Sequence, residues 1–137
     1  MFISGSEVGG GLSKTHDHYL KQKNQSFSYF RINYNDLDKI TNYQFTIYDF
    51  ITNSFSFSQS KKEITIKILG KLKEKPTSFY DLLKELKAKK SSLYLACISL
   101  EKSGMIEREK VGSPYKLSAK FSQTLKEYSK WWEDWIK

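Results

Sequence analysis

The feature that most constrains the fold is the order of helix and turn signals between residues 76 and 118. Apolar side chains recur at i, i+3, i+4 and i+7 from Phe79 to Leu86, which predicts an amphipathic helix with one buried face. Thr77 or Ser78 can cap its start, and Asp81 follows Ser78 by three residues, as in a capping box.

A second helix is predicted directly after a turn at residues 88–90. Ser91 or Ser92 can cap its first turn, and Gly104 is expected to end it in a left-handed conformation. Three apolar residues of this helix share one face and should point inward: Leu93, Cys97 and Leu100.

A small β-hairpin should follow, with strands at 105–111 and 115–117 around Gly112-Ser113-Pro114. Another helix is predicted before the capped pair, over residues 61–74. Its inward stripe consists of Ile64, Ile68, Leu69 and Leu72. The predicted fold class is therefore mainly α with a small β-hairpin.

The order of elements from Lys61 to Phe121 resembles the winged helix-turn-helix of small prokaryotic and archaeal regulators of the MarR, ArsR and PadR kind. The segment LEKSGMIE (Leu100–Glu107), followed by a hairpin and YKLS, carries most of the resemblance. The resemblance implies that the third helix enters the major groove of duplex DNA and that the hairpin, the wing, lies along the backbone. It is more specific for fold than for function.

Positive charge is concentrated in the same part of the chain. Residues 1–60 carry five basic and five acidic side chains, whereas residues 61–137 carry 18 basic and ten acidic ones and so account for the whole net charge of +8. A lysine-rich composition, as in a hot-adapted protein, would explain the total. It would not explain the asymmetry, which favours a polyanionic partner.

By position, the resemblance implies a set of DNA-contacting residues. Lysines around the helix-turn-helix corner and cations in or beside the wing would hold phosphates, and the serines at the start of the third helix would add hydroxyls and amides. About six such lysines would give a log–log salt slope near −5. The set is Lys84, Lys87, Lys89, Lys90, Ser91, Ser92, Tyr94, Leu95, Ser99, Arg108, Lys110 and Lys116.

The outer face of the third helix departs from the family pattern. Members of the family commonly place Arg, Gln, Asn or His there, whereas this chain has Tyr94, Leu95, Ile98 and Ser99. Such a face could pack on thymine methyls, bind a protein, or leave DNA shape to set the preference. A dimeric transcriptional regulator that binds double-stranded DNA is expected. An architectural DNA binder and a protein–protein interaction module remain alternatives.

The flanking segments predict two more helices. One covers residues 35–55 with Asn35 as its cap, and the other follows Ser118 with large side chains at heptad-like spacing. The aromatic helix could pack within the chain or form a homodimer, which is the arrangement we favour. The expected dimer contacts are Leu37, Ile40, Ile47, Ile51, Leu125, Tyr128, Trp132 and Trp135.

The domain organisation is predicted from composition. Residues 1–25, rich in Gly and Ser, should form a flexible tail before one compact domain at 26–137. Within that domain, residues 26–60 form the N-terminal extension, 61–118 the winged helix-turn-helix and 119–137 the aromatic helix.

The remaining predictions are exclusions. A single cysteine, two histidines and scattered carboxylates indicate no metal site, no cofactor and no catalysis. No small-molecule ligand is evident. No apolar run is long enough to span a membrane and no signal peptide is present, so a cytoplasmic protein without a membrane partner is expected.

Overall fold

The computed structural model describes residues 31–137, so the predicted tail at 1–25 lies outside the described residues. A 3₁₀ turn at Tyr34–Asp36 precedes the first α-helix. In the described part the α-helices are α1 (Leu37–Thr41), α2 (Ile47–Ser54), α3 (Gln59–Glu74), α4 (Phe79–Leu86), α5 (Lys90–Ser103) and α6 (Lys120–Trp135). Strands β1 (Ile106–Glu107) and β2 (Lys116–Leu117) pair antiparallel, with Ile106 opposite Leu117. The predicted class, mainly helical with a small two-stranded sheet, is confirmed.

The single helix predicted over residues 35–55 is wrong, because the chain forms α1 and α2 there. Tyr43 adopts a left-handed φ of 58° after α1. Thr46 then starts α2 with a full capping box: its hydroxyl accepts from the Asp49 N–H, and the Asp49 carboxylate accepts from the Thr46 N–H, both at 3.1 Å. The apolar spacing continues across this break, so periodicity alone could not reveal it.

The predicted caps of the two central helices are confirmed in part. The Ser78 hydroxyl accepts a hydrogen bond from the Asp81 N–H at the start of α4, and Gly104 ends α5 with a φ of 85°. Neither Ser91 nor Ser92 caps α5, because the helix already begins at Lys90 and its N-cap is Lys89.

Two further ends differ from prediction by one or two residues. Asn33, rather than Asn35, is the N-terminal cap, since its side chain accepts from the Asn35 N–H at 3.0 Å. Helix α6 has Ala119 at its N-cap, while the Ser118 hydroxyl accepts from the Lys120 N–H at 3.1 Å.

The hydrophobic core lies between α2, α3, α4, α5 and the hairpin. The predicted inward faces of α3 and α5 are confirmed, since their apolar residues are buried. Each fully buried Leu or Ile contributes about 2 kcal/mol relative to an exposed one. The buried core residues on these two helices are Ile64, Ile68, Leu69, Leu72, Leu93, Ala96, Cys97 and Leu100. The buried face of α5 therefore packs against the core, and its opposite face carries the exposed residues of the helix.

The hairpin is anchored to the residues just before α4. Thr77 and Tyr115 exchange two backbone hydrogen bonds, at 3.0 and 2.9 Å. The Arg108 guanidinium lies 4.6 Å from the centroid of the buried Tyr115 ring, and its Nε lies 3.5 Å from Glu101 Oε2 on α5. These contacts fix the hairpin against both helices.

The strands are shorter than the predicted 105–111 and 115–117. Between them the chain turns at Lys110–Ser113, where the Ser113 N–H donates to the Lys110 carbonyl at 3.0 Å. Gly112 has a φ of 93° in this turn, a conformation that favours glycine.

Candidate nucleic-acid interface

Four lysines are brought together where α4 meets α5. Lys84 is on the last turn of α4, Lys87 and Lys89 are in the connection, and Lys90 is the first residue of α5. All four are exposed, and within residues 31–137 no carboxylate lies within 4.0 Å of their ammonium groups. We call this group the basic corner. Unpaired cations grouped on one surface attract a polyanion.

The connection between α4 and α5 is three residues long and contains a strained position. Lys87 has φ 53° and ψ 37°, the left-handed conformation that usually belongs to glycine. A side chain with a Cβ costs about 1–2 kcal/mol in this region. A lysine held at such a cost is a reason to look for a function of its side chain.

The N-terminus of α5 lies within the basic corner. Its N-cap, Lys89, supplies no side-chain acceptor, and in the described part of the chain no side chain accepts a hydrogen bond from the amide groups of the first turn. Ser91 and Ser92 are exposed beside these amides. Free amides, hydroxyls and the positive end of the helix dipole together form a favourable environment for a phosphate oxygen.

The outer face of α5 continues from the basic corner toward the hairpin. Ser91, Leu95, Ile98 and Lys102 follow one another at helical spacing opposite the buried face, and Leu95 is 51% exposed. Tyr94, 52% exposed, sits at the edge of this face with its ring 6.3 Å from the Phe79 ring in edge-to-face contact. Sequence reasoning missed Lys102, although its seven-residue spacing from Leu95 was a usable signal.

Three of the predicted DNA contacts have partners within the chain. Ser99 lies on the α3 side of α5, where its hydroxyl accepts from Lys61 Nζ at 3.1 Å. Arg108 is held by Tyr115 and Glu101, as described above. Lys116 Nζ lies 3.8 Å from Glu107 Oε2. These residues do not join the basic corner, whereas Lys110, near the tip of the hairpin, is exposed and has no carboxylate within 4.0 Å among the residues described.

Glu107 partly neutralises the positive charge of the lysines beside the hairpin. Its carboxylate lies 3.2 Å from Lys120 Nζ at the start of α6 as well as near Lys116. The hydrogen bond from Lys120 is the main reason that the pKa of Glu107 lies below its usual value. The cationic surface of the hairpin is thereby reduced to its tip.

The predicted dimer residues fall into three groups. Leu37, Ile40 and Ile47 are exposed, but Ile51 is completely buried in the chain's own core and is therefore a core residue. Leu125 is half-buried. Tyr128, Trp132 and Trp135 are exposed on α6.

The aromatic face of α6 begins in the core and ends in solvent. Phe121 packs against Phe50 with ring centroids 5.9 Å apart. Further along, Trp131, Trp132 and Trp135 are 53–66% exposed. Trp131 and Trp132 each stack on Trp135, with ring centroids 6.1 and 5.4 Å apart. The first turn of α6 therefore packs within the chain, and among residues 31–137 the last two turns present an apolar face that no other side chain covers, so homodimer formation stays a prediction.

A family model described as an archaeal family matches residues 61–137. The chain belongs to this archaeal family. The matched region contains the basic corner, the hairpin and α6, whereas α1 and α2 lie outside it. No curated protein and no solved structure matches the chain. In the described region, no helix is both long and apolar enough to cross a lipid bilayer.

Proposed function

We propose that this archaeal-family protein is a winged helix-turn-helix protein that binds duplex DNA as a homodimer and regulates transcription. In this proposal α4 and α5 form the helix-turn-helix, α3 supports them from behind, and the hairpin is the wing. The order of the elements supports the assignment, as does the extended segment at Thr77 that pairs beside the hairpin.

The observation that carries the proposal is the basic corner, with its four unpaired lysines around the start of α5. A helix that enters the major groove with its N-terminus leading would place these ammonium groups and the first-turn amides against the phosphate backbone. Lys102 and Lys110 extend the same charge along α5 and to the hairpin tip. Six phosphate contacts per subunit predict a log–log salt slope of about −5 for each subunit bound and about −11 for the homodimer.

The outer face of α5 suggests how DNA would be read. Leu95 and Ile98 offer apolar atoms rather than hydrogen-bonding groups to base edges, and the exposed Tyr94 at the edge of the face adds an aromatic ring with one phenolic hydroxyl. Apolar side chains in the major groove contact the thymine methyl group. We therefore propose a preference for AT-rich sites, with Ser91 as the hydrogen-bonding residue on this face.

The exposed end of α6 supports the homodimer. Each tryptophan buries about 150–250 Å² when fully covered, so the pairing of two such faces would remove a large apolar area from water. A two-fold pair of subunits would present two basic corners, as a palindromic operator requires. Replacement of Trp132 and Trp135 by alanine should shift the protein toward monomer in light scattering coupled to gel filtration. A mass that the substitutions leave unchanged contradicts this part of the proposal.

The test of DNA binding is a matched pair of charge reversals. Lys89→Glu/Lys90→Glu should lower affinity for a duplex at least about 60-fold per bound subunit at 0.1 M salt, because each subunit loses two phosphate contacts and repulsion is added. Lys67→Glu/Lys73→Glu changes the net charge equally but lies on exposed positions of α3, so it should have a small effect. Fluorescence anisotropy measures both. Equal losses in the two variants would mean that net charge alone drives binding.

A competition experiment separates a regulator from an architectural DNA binder. A regulator retains a genomic fragment when random duplex is added in large excess, whereas an architectural protein releases it. The salt slope should be similar for specific and random duplex, because it reports phosphate contacts.

The second candidate is a module that docks another protein through α5. It is favoured by the exposed apolar side chains Tyr80, Tyr94 and Leu95 on neighbouring turns of α4 and α5. In that case Leu95→Ala would abolish partner binding and the double reversal at Lys89 and Lys90 would leave it intact. If the protein binds DNA, the double reversal at Lys89 and Lys90 should lower DNA affinity more than Leu95→Ala does.

A further inference from the structure

A cavity of about 360 Å³ lies between α2, α3, α5 and α6. Its walls are largely aromatic and aliphatic: Phe55, Phe57, Leu100, Phe121, Leu125 and Tyr128. This volume is within the range of pockets that hold small organic molecules. On α5 the lining consists of Ser99, Leu100, Lys102 and Ser103, so it is separate from the four lysines of the basic corner at the other end of that helix, and only Lys102 belongs both to this lining and to the charge that extends along α5.

One lining residue, Thr65, has a hydroxyl that forms no hydrogen bond with the described part of the chain. Thr65 is 1% exposed, and its hydroxyl has no hydrogen-bond partner among the described residues. A buried hydroxyl without a partner is costly to the fold, so such groups are uncommon. Because Thr65 lines the cavity, a polar atom of a ligand bound there would supply the missing partner.

The ammonium group of Lys61 lies on α3, one helical turn before Thr65. Lys61 and Thr65 are four residues apart on α3 and therefore share a face. The Lys61 ammonium donates to the Ser99 hydroxyl at 3.1 Å and lies 4.5 Å from the centroid of the Phe57 ring, and both of those residues line the cavity. Within residues 31–137 no carboxylate lies within 4.0 Å of it.

The charge at this position is only partly solvated. Lys61 is half-buried, and burial lowers the pKa of its ammonium group. Among residues 31–137, no Asp or Glu lines the cavity. A half-buried cation beside an apolar cavity would gain most from an anionic partner, because both charges would interact in a medium of low dielectric constant.

We propose that this cavity binds a small organic anion with a flat apolar body, of the aromatic carboxylate class. The carboxylate would pair with Lys61 and the Ser99 hydroxyl, and the ring would lie among the phenylalanine side chains. The Thr65 hydroxyl would bond to a polar substituent or to the second carboxylate oxygen. A cationic ligand is disfavoured by Lys61, and a neutral apolar ligand would leave the hydroxyl and ammonium groups uncompensated. The site goes beyond the proposed DNA binding and does not depend on it.

Benzoate and its neutral analogue benzamide test the site directly. In ¹⁵N-resolved NMR spectra of the full chain, benzoate should shift the amides of Thr65, Ser99 and Phe121 with a Kd of about 1 mM. Benzamide fits the same volume but lacks the charge, so it should bind at least about tenfold more weakly. Lys61→Met should lower benzoate affinity about tenfold and leave benzamide unchanged, whereas Lys67→Met, on the exposed face of α3, should change neither.

Several results would overturn the proposal. One is the absence of shifts at these amides up to about 20 mM benzoate, and another is equal affinity for benzoate and benzamide. Shifts confined to Lys84–Lys90 would mean that benzoate only associates with exposed cations. If Lys61→Met fails to fold, Lys61→Arg provides the second variant: it retains the cation and must retain benzoate binding. The comparison of the two compounds on the unaltered protein needs no variant.

Discussion

Replacement of Lys87 by glycine should make the protein more stable and its DNA binding weaker. In the structure Lys87 has φ 53° and ψ 37°, which costs a residue with a Cβ about 1–2 kcal/mol. Glycine removes this cost but loses about 0.5–1 kcal/mol of additional entropy on folding. The net expectation is a gain of about 0.5–1 kcal/mol in the free energy of unfolding.

The same substitution removes one of the six proposed phosphate contacts. For each subunit bound, the magnitude of the log–log salt slope should fall by about 0.9 and affinity at 0.1 M salt about eightfold, so the homodimer should lose about 1.8 in slope and about 60-fold in affinity. Because stability and affinity change in opposite directions, weaker binding cannot be attributed to loss of folded protein.

Lys87→Ala is the matched control for both effects. Alanine removes the charge but keeps the Cβ in the left-handed region, so it should weaken DNA binding equally without the gain in stability. Urea unfolding measures the first quantity, and anisotropy titrations between about 50 and 200 mM salt measure the second. A Lys87→Gly protein that binds DNA with unchanged affinity and salt slope would refute the role of this side chain. A destabilised one would refute the backbone argument.

Three other perturbations have defined outcomes. Thr65→Val removes a buried hydroxyl that has no partner among the described residues and keeps the side-chain volume, so the free energy of unfolding measured in urea should rise by about 1–2 kcal/mol. A lower free energy of unfolding would mean that the hydroxyl forms a hydrogen bond in the folded protein. Arg108→Ala removes both the contact with the Tyr115 ring and the pairing with Glu101, so the free energy of unfolding should fall by about 1–2 kcal/mol. Lys110→Ala at the exposed turn should change it by less than about 0.5 kcal/mol. Equal effects of the two substitutions would mean that Arg108 does not anchor the hairpin. Burial raises the pKa of Cys97 from 9.0 to about 12 and that of Tyr115 from 10.0 to about 12. The unfolded chain therefore loses these protons first, and the free energy of unfolding should fall above pH 9 by about 1 kcal/mol per pH unit per group. Thermal melts at pH 7 to 11 check this, and Cys97→Ala should remove the part of the fall that begins near pH 9.

Much of the fold could be predicted from local signals. The amphipathic spacing of α4, the caps at Ser78 and Gly104, and the inward faces of α3 and α5 depend on residues within a few positions of one another. The break between α1 and α2 is the counterexample. Thr46 and Asp49 form a capping box that the sequence contains, but the apolar spacing runs on through it and favours one helix.

The candidate site divides in the same way. The sequence by itself determined that lysines crowd the α4–α5 connection and that the outer face of α5 is apolar, because both follow from position along the chain. Only the tertiary structure decided that Arg108 is engaged by Tyr115 and Glu101, that Ile51 is in the core, and that Thr65 lines a cavity whose lining residues Ser99 and Phe57 contact Lys61. Such contacts join residues far apart in sequence, and their energies depend on burial and on distances of a few ångströms that no local pattern records.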